Sequence, residues 1–410
     1  MNGAAPRRPL AVLVFSQVLS GAGLAAGITV GALLAEDMLG STGLAGVPSA
    51  LFTAGSALGA VAIGRLSQRW GRRPGLVLGY GAGVLGSLGV VAAAALNSAL
   101  LLFPSLLVYG AGTATNLMAR YAGAELAPPD RRGRAVSTVL FATTLGAVAG
   151  PNLVTVTGDL ALAWGVPRLA GPFLLAAAAF GAAAAVLACL LRPEPPSPER
   201  RADGPPNDRT ASPAGPGPTA GRRRGLAAGT AVMLLTQLVM IALMTMTPVH
   251  LRAHGHGTET AGLVIALHVG AMFLPSPLTG RWVDRAGPHR VAVASGVTLL
   301  AAGLLAALAP PHSVPGLTVA LVLLGLGWNF GLVSGTALVT EALPPARRAA
   351  SQGLVDVGIA LAGATGGMAS GPLLATSGFP VLALVCGVLA AAVVPVAVLA
   401  ARGDGGARCS

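Results

Sequence analysis

The sequence predicts an all-α polytopic membrane protein of twelve transmembrane helices in two homologous six-helix halves. Three observations carry that prediction. The 410 residues are 54% hydrophobic and 10% charged, against roughly 25% charged in soluble domains, so a globule of this size would lack a polar skin. The chain also divides into twelve apolar runs, each near the roughly 20 residues that cross a bilayer core. Finally, two separate loops recur at a single offset of 216 residues.

Turn residues and charges place the first six runs at about 10–35, 44–64, 75–96, 100–123, 135–157 and 170–191. The second six fall at about 226–249, 259–280, 290–309, 316–339, 350–375 and 378–401. The first run follows Arg7 and Arg8 but is too long for the apolar core of a cleaved leader, so it reads as a retained span. Residues 193–224 hold nine prolines and almost no large apolar side chain, the composition of a disordered linker. The expected organisation is an N-terminal bundle over 1–192, that linker, and a C-terminal bundle over 225–410.

All 26 basic residues are Arg, and the net charge is +12. Such a charge suggests a nucleic-acid partner until the positions are read. With a cytoplasmic N-terminus, 23 arginines fall on the inner segments, Arg168 and Arg252 outside, and Arg120 within a span. The asymmetry predicts a multi-pass protein of the cell membrane with both termini inside and no nucleic-acid partner. Cys189, Cys386 and Cys409 offer neither a disulfide framework nor metal-ligand spacing. A chain without Lys also has no phosphate-binding G-x4-G-K-[ST] loop, which excludes an ATP-driven pump.

The repeat aligns Gly64-Arg65-Leu66-Ser67-Gln68-Arg69-Trp70-Gly71 with Gly280-Arg281-Trp282-Val283-Asp284-Arg285-Ala286-Gly287. At the same offset, Glu125, Pro128, Pro129, Arg131 and Arg132 match Glu341, Pro344, Pro345, Arg347 and Arg348. Agreement of two loops without gaps marks a tandem duplication. The chain here resembles the major facilitator superfamily of secondary transporters over essentially its whole length. That family's loop signature G-x-L-a-D-r-x-G-r-k is matched by Gly64, Leu66, Arg69, Gly71, Arg72 and Arg73, with Gln68 at the usual Asp; Glu125 to Arg132 and Glu341 to Arg348 keep its Glu-x6-Arg spacing. The resemblance implies two six-helix bundles related by a pseudo-twofold axis, with helices 1, 4, 7 and 10 lining a central cavity.

The glycines of these loops permit tight turns, and the arginines hold the loops at the inner surface. One reading makes them a cytoplasmic latch: Glu125 and Glu341 pair with arginines of neighbouring loops, and Asp284 with the start of helix 11. The other leaves Arg65, Arg69, Arg72, Arg132, Arg285 and Arg348 as topology signals alone. Gln68 carries no charge, so the N-terminal latch is expected to be the weaker.

Polar side chains inside hydrocarbon are costly and face cavities or other helices. On the four cavity helices they are Gln17, Tyr109, Asn116, Arg120, Gln237, Trp328 and Asn329. The amides suit a neutral or weakly basic solute, or each one forms an interhelical hydrogen bond. Arg120 either contacts substrate or snorkels to the inner interface. Asp356 has Leu140 at its repeat position, which marks it as a candidate proton carrier or as a helix-start carboxylate. His268 is a candidate titrating group or a packed neutral imidazole. Glu36 and Asp37 face an outer vestibule or simply end a solvated helix.

The 58 glycines are about twice the usual share. Gly146, Gly150 and Pro151 resemble part of the G-x3-G-P-x2-G-G signature of facilitator drug/proton antiporters, though Val154 and Thr155 replace its last glycines and Leu106 stands where the helix-4 signature has Arg. Gly371 and Pro372 suggest a similar packing device. The leading expectation is proton-driven export of a small, fairly apolar solute by a monomer that needs no cofactor or metal. Proton-coupled or facilitated nutrient uptake is the alternative within the fold. A membrane-embedded enzyme or a sensor is the alternative of another class. His250, His254 and His256 cluster without the carboxylate or Cys partners an enzyme site would use.

Overall fold

The structure is a computed structural model that describes residues 7–39, 47–191, 220–256 and 258–406. Every element among them is helical, and they compose twelve spans. The first four are single helices, Arg7–Leu39, Val47–Trp70, Arg72–Ala95 and Ala99–Glu125. Span 5 is built from Arg132–Asn152 and Val154–Ala163, and span 6 is Gly171–Leu190. Span 7 is Ala220–Ala253. Span 8 joins Thr258–Phe273 to Ser276–Ala286 across Leu274 and Pro275, where proline supplies no donor to continue the helix. Spans 9 and 10 are Pro288–Leu308 and Val314–Ala342. Spans 11 and 12 lie in Arg348–Ala391 and Val393–Gly406, separated where the backbone leaves the helix at Gly378, φ 79° and ψ 169°.

Eight of the described helical stretches are long and apolar enough to cross a membrane by length and composition. Their outer surfaces carry exposed Leu85, Leu100, Leu278, Leu308 and Val388. Apolar surface on that scale needs lipid against it. The polar positions turn inward instead, and Arg120, Tyr80, Tyr109 and Tyr121 are among the largest fully buried side chains.

Both halves pack alike. Span 1 lies against 5 and 6, span 2 against 4, and span 3 against 4 and 6; spans 7, 8 and 9 repeat those contacts with 11 and 12, with 10, and with 10 and 12. Each half therefore has its own apolar core. Between the halves, span 2 meets span 11, and the second segment of span 8 meets span 5. The offset of 216 exchanges those two contacts, so the halves are related by a pseudo-twofold axis.

Two sequence expectations meet a different structure. Residues 192–219 of the expected linker lie outside the described residues, but Arg222, Arg223 and Arg224 already belong to span 7. Arginine is a good helix former, and the last proline, Pro218, precedes them. Gly371 has nothing within 4 Å of the place a Cβ would take, and Pro372 is exposed, so they do not form a packing device. Gly146 does pack: a Cβ there would lie 2.0 Å from the Val18 carbonyl oxygen on span 1. The surroundings of Gly150, Pro151, Glu36 and Asp37 lie outside the described residues.

Candidate functional site

The halves meet near the arginine-rich end, the end that carries loops 2–3, 4–5, 8–9 and 10–11. Gly71 and Gly287, 216 residues apart, turn the chain there with φ of 96° and 86° and ψ of 166° and 151°, a conformation almost confined to glycine. Those turns deliver two reciprocal caps. The Gln68 side-chain oxygen Oε1 accepts the Ala349 backbone N–H at 3.1 Å, at the start of span 11. The Asp284 carboxylate accepts the Gly133 and Arg134 N–H groups at 2.7 and 3.1 Å, at the start of span 5. Gln68 and Asp284 are repeat mates, and so are Ala349 and Gly133. The sequence expectation that Asp284 meets helix 11 is therefore corrected to helix 5, because the two halves pair crosswise. Both carbonyl groups face helix N-termini whose free N–H groups favour negative charge.

Close approach makes the caps possible. A Cβ on Gly64 would stand 2.9 Å from the Ala349 carbonyl oxygen, and one on Gly280 2.5 Å from that of Gly133. Beside them, Arg72 forms a two-pronged bond to Glu125 at 2.7 and 2.8 Å and reaches Gln352 across the interface. Gln352 Nε2 in turn donates to Thr340 Oγ1 at 3.3 Å. Arg348 donates to the Leu343 carbonyl at 2.9 and 3.2 Å, while Arg132 Nε is buried without a partner in the structure. Arg65, Arg69, Arg285 and Glu341 are exposed.

Deeper in, Arg120 on span 4 is fully buried and bridges the halves. Its Nη2 donates to Asp356 Oδ1 on span 11 at 2.5 Å, its Nε to Thr336 Oγ1 on span 10 at 3.1 Å, and its Nη1 to the Leu117 carbonyl at 2.7 Å. The guanidinium lies 4.4 Å from the Tyr121 ring centroid, and the Tyr121 hydroxyl accepts from Nη2 at 3.1 Å. Asp356 is the floor of a cavity of about 270 Å³ between the halves, lined also by Phe52, Ser56, Leu117, Gln237, Ile241 and Gly363. Its Oδ2 is buried and has no partner. Arg120 does not snorkel, and Asp356 is not a helix-start carboxylate held by the dipole or the loop 8–9 arginines, because each is the other's counter-charge.

The Major Facilitator Superfamily model matches residues 10–274 and 229–405. The chain belongs to the major facilitator superfamily. Among its relatives, the uncharacterized MFS-type transporter YdeG of Bacillus subtilis is 54% identical over 96% of this chain and 91% of its own length. The riboflavin transporter RfnT of Brucella anthropi is 31% identical over 94% and 95%. The fold is shared with the human organic anion transporter MFSD10, with a TM-score of 0.75 at 16% identity over 95% and 99% of the chains. The Escherichia coli fucose:proton symporter FucP gives 0.72 at 16% over 97% and 99%.

Within this facilitator the remaining candidate residues divide by what they touch. Gln237 lines the cavity and accepts the Trp328 indole N–H at 2.8 Å. Gln17 and Asn116 do not line that cavity. Gln17 Nε2 donates to Tyr80, Thr143 Oγ1 donates to Gln17 Oε1 at 3.0 Å, and Ser20 Oγ donates to Asn116 Oδ1 at 2.6 Å. Asn329 binds Thr279, Ser276 and the Met272 carbonyl at 2.6 to 2.7 Å, within the C-terminal half. The Tyr109 hydroxyl donates to the Gly23 carbonyl at 2.8 Å, and His268 Nδ1 sits 2.7 Å from that of Leu321. These five side chains join helices inside a half. Sequence reasoning missed Tyr121 and Thr336, whose only signal was proximity to Arg120 in the chain or in the repeat.

Proposed function

We propose that this transporter exchanges a small, largely apolar organic solute for protons, with the arginine-rich end cytoplasmic and the protein working as a monomer in the cell membrane without a cofactor. The observation that carries the reading is the Arg120–Asp356 pair, which ties the halves together at the cavity floor and leaves Oδ2 without a hydrogen-bond partner among the described residues. With the arginine-rich end cytoplasmic and held shut by both reciprocal caps, we read this conformation as outward-facing.

One oxygen then serves two ligands in turn. In the outward state the carboxylate accepts a hydrogen bond from the solute through Oδ2. A proton arriving from outside adds to Oδ2, converts that acceptor into a donor, and displaces the solute. It also removes the negative charge that holds Arg120, weakening the closed end. Once the cavity opens inward, the proton leaves to the cytoplasm and solute enters from there. The restored carboxylate recaptures Arg120 and closes the inner end. Mutual exclusion at one atom is what exchange requires, and each ligand shifts the equilibrium only by its differential affinity for the two states. Partial resemblance of the Gly146 segment to antiporters points the same way.

The test is transport in proteoliposomes with an imposed proton gradient, riboflavin being the first solute because a relative is named for it. Acid on the side opposite the arginine-rich end should drive solute toward the acid, and Asp356→Asn should abolish the gradient dependence. Solute moving in the same direction as protons would establish symport and overturn the reading.

A further inference from the structure

The cavity has a second fixed polar group. Trp328 Nε1 donates to Gln237 Oε1, and an indole N–H can only donate. The amide oxygen therefore faces span 10 and the NH2 faces away from it. That nitrogen is the nearest atom, at 3.3 Å, to where a Cβ on Gly363 would stand, and Gly363 shares the cavity wall. The indole is itself held, 5% exposed and edge-on to Phe273 with centroids 5.6 Å apart. Asp356 stands seven residues before Gly363 on span 11 and lines the same cavity, its Oδ2 buried at the edge of that wall with no hydrogen-bond partner among the described residues.

We propose that the cavity recognises a neutral, planar heteroaromatic solute at two points: a ring carbonyl bound by Gln237, and a ring N–H on the opposite edge bound by Asp356. Trp328 is the positioning residue that orients Gln237. The inference rests on the cavity being the solute site. Seven helical residues rise about 10 Å. With about 3 Å for each hydrogen bond, about 4 Å remains for the ligand, the width of one six-membered ring. Ile359 and Ala360 lie between the two points and suit a flat apolar body. Arg120 already balances the carboxylate, so a neutral N–H suffices and an ammonium gains little.

Acridone has a carbonyl and an N–H on opposite edges of its central ring; N-methylacridone lacks the donor and carbazole lacks the carbonyl. Binding of all three to the purified protein in lipid nanodiscs, read by probe fluorescence, tests the proposal. Acridone should bind about tenfold tighter than either control, the effect of one unmade hydrogen bond. Gln237→Met should erase its advantage over carbazole while leaving carbazole binding unchanged. Trp328→Phe should weaken acridone about threefold and carbazole not at all, whereas a merely structural role would weaken every probe alike. Equal affinity for the three probes, or acridone binding indifferent to Gln237→Met, overturns two-point recognition but leaves the cavity as the solute site. Absence of binding by all three overturns both.

Discussion

Asp356→Asn deletes one charge from a pair in which the other member cannot reach water. Arg120 is fully buried and would keep Thr336, the Tyr121 hydroxyl and the Leu117 carbonyl, so its hydrogen bonding is only partly lost. Breaking a buried ion pair by removing one partner costs about 3–5 kcal/mol. The surviving contacts argue for the lower figure, about 3 kcal/mol, which is about a 150-fold change in an equilibrium constant. Because Asp356 and Arg120 lie on opposite halves, that change should appear as opening of the arginine-rich end. Arg131 and Arg347 are exposed there, one on each half. Spin labels at those positions, after replacement of Cys189, Cys386 and Cys409, report the separation by electron–electron resonance. The unaltered protein should give one short distance, and Asp356→Asn a dominant longer one. Adding Arg120→Gln removes the stranded cation and should move the distribution back toward the short distance. Distributions that superimpose for Asp356→Asn and the parent would refute the reasoning, since the pair would then contribute nothing to closure.

Asp284→Ala removes two charge-assisted bonds to the start of span 5 and should favour opening by about 2 kcal/mol, read from the same label pair. Gln68→Asp places a full charge at the start of span 11 and should do the opposite by about 0.5–1 kcal/mol. Gly71→Ala and Gly287→Ala force a side chain into glycine-only backbone, and each should lower stability by about 1–3 kcal/mol, seen as a reduced melting temperature by intrinsic fluorescence. Gly146→Ala drives a methyl group into the Val18 carbonyl and should lower the melting temperature clearly, whereas Gly371→Ala meets open space and should leave it unchanged.

The halves and their axis were legible because loops at the membrane surface keep short, charged, glycine-rich signatures. Which loop meets which helix was not, since sequence similarity between Gly64–Gly71 and Gly280–Gly287 is the same whether each caps its own half or the other. Asp356 stood out through its asymmetry with Leu140, but nothing in the chain order joins it to Arg120, which lies 236 residues away. The amides expose the deeper limit. Gln17, Asn116 and Asn329 sit on cavity helices, yet a helix enclosed on most sides can satisfy an amide against any neighbour. Of the four amides only Gln237 lines the cavity, and the rotation of each helix against its neighbours decides the difference.

Arg120 donates to Thr336, and these two are repeat mates, so the axis relating the halves passes through that bond. A residue on such an axis meets its own copy. Had both copies of the duplicated sequence kept arginine, two guanidinium groups would have faced each other at hydrogen-bonding range, where like charges about 4 Å apart repel by about 4 kcal/mol at an effective dielectric of 20. A symmetric homodimer of one half would bear that cost at its centre. In one chain the two copies can differ: one carries the charge and the other a hydroxyl, and Asp356 stands opposite Leu140 without a duplicate. The central ion pair thus uses an asymmetry that only a joined chain can hold, an arginine in one copy facing a hydroxyl in the other.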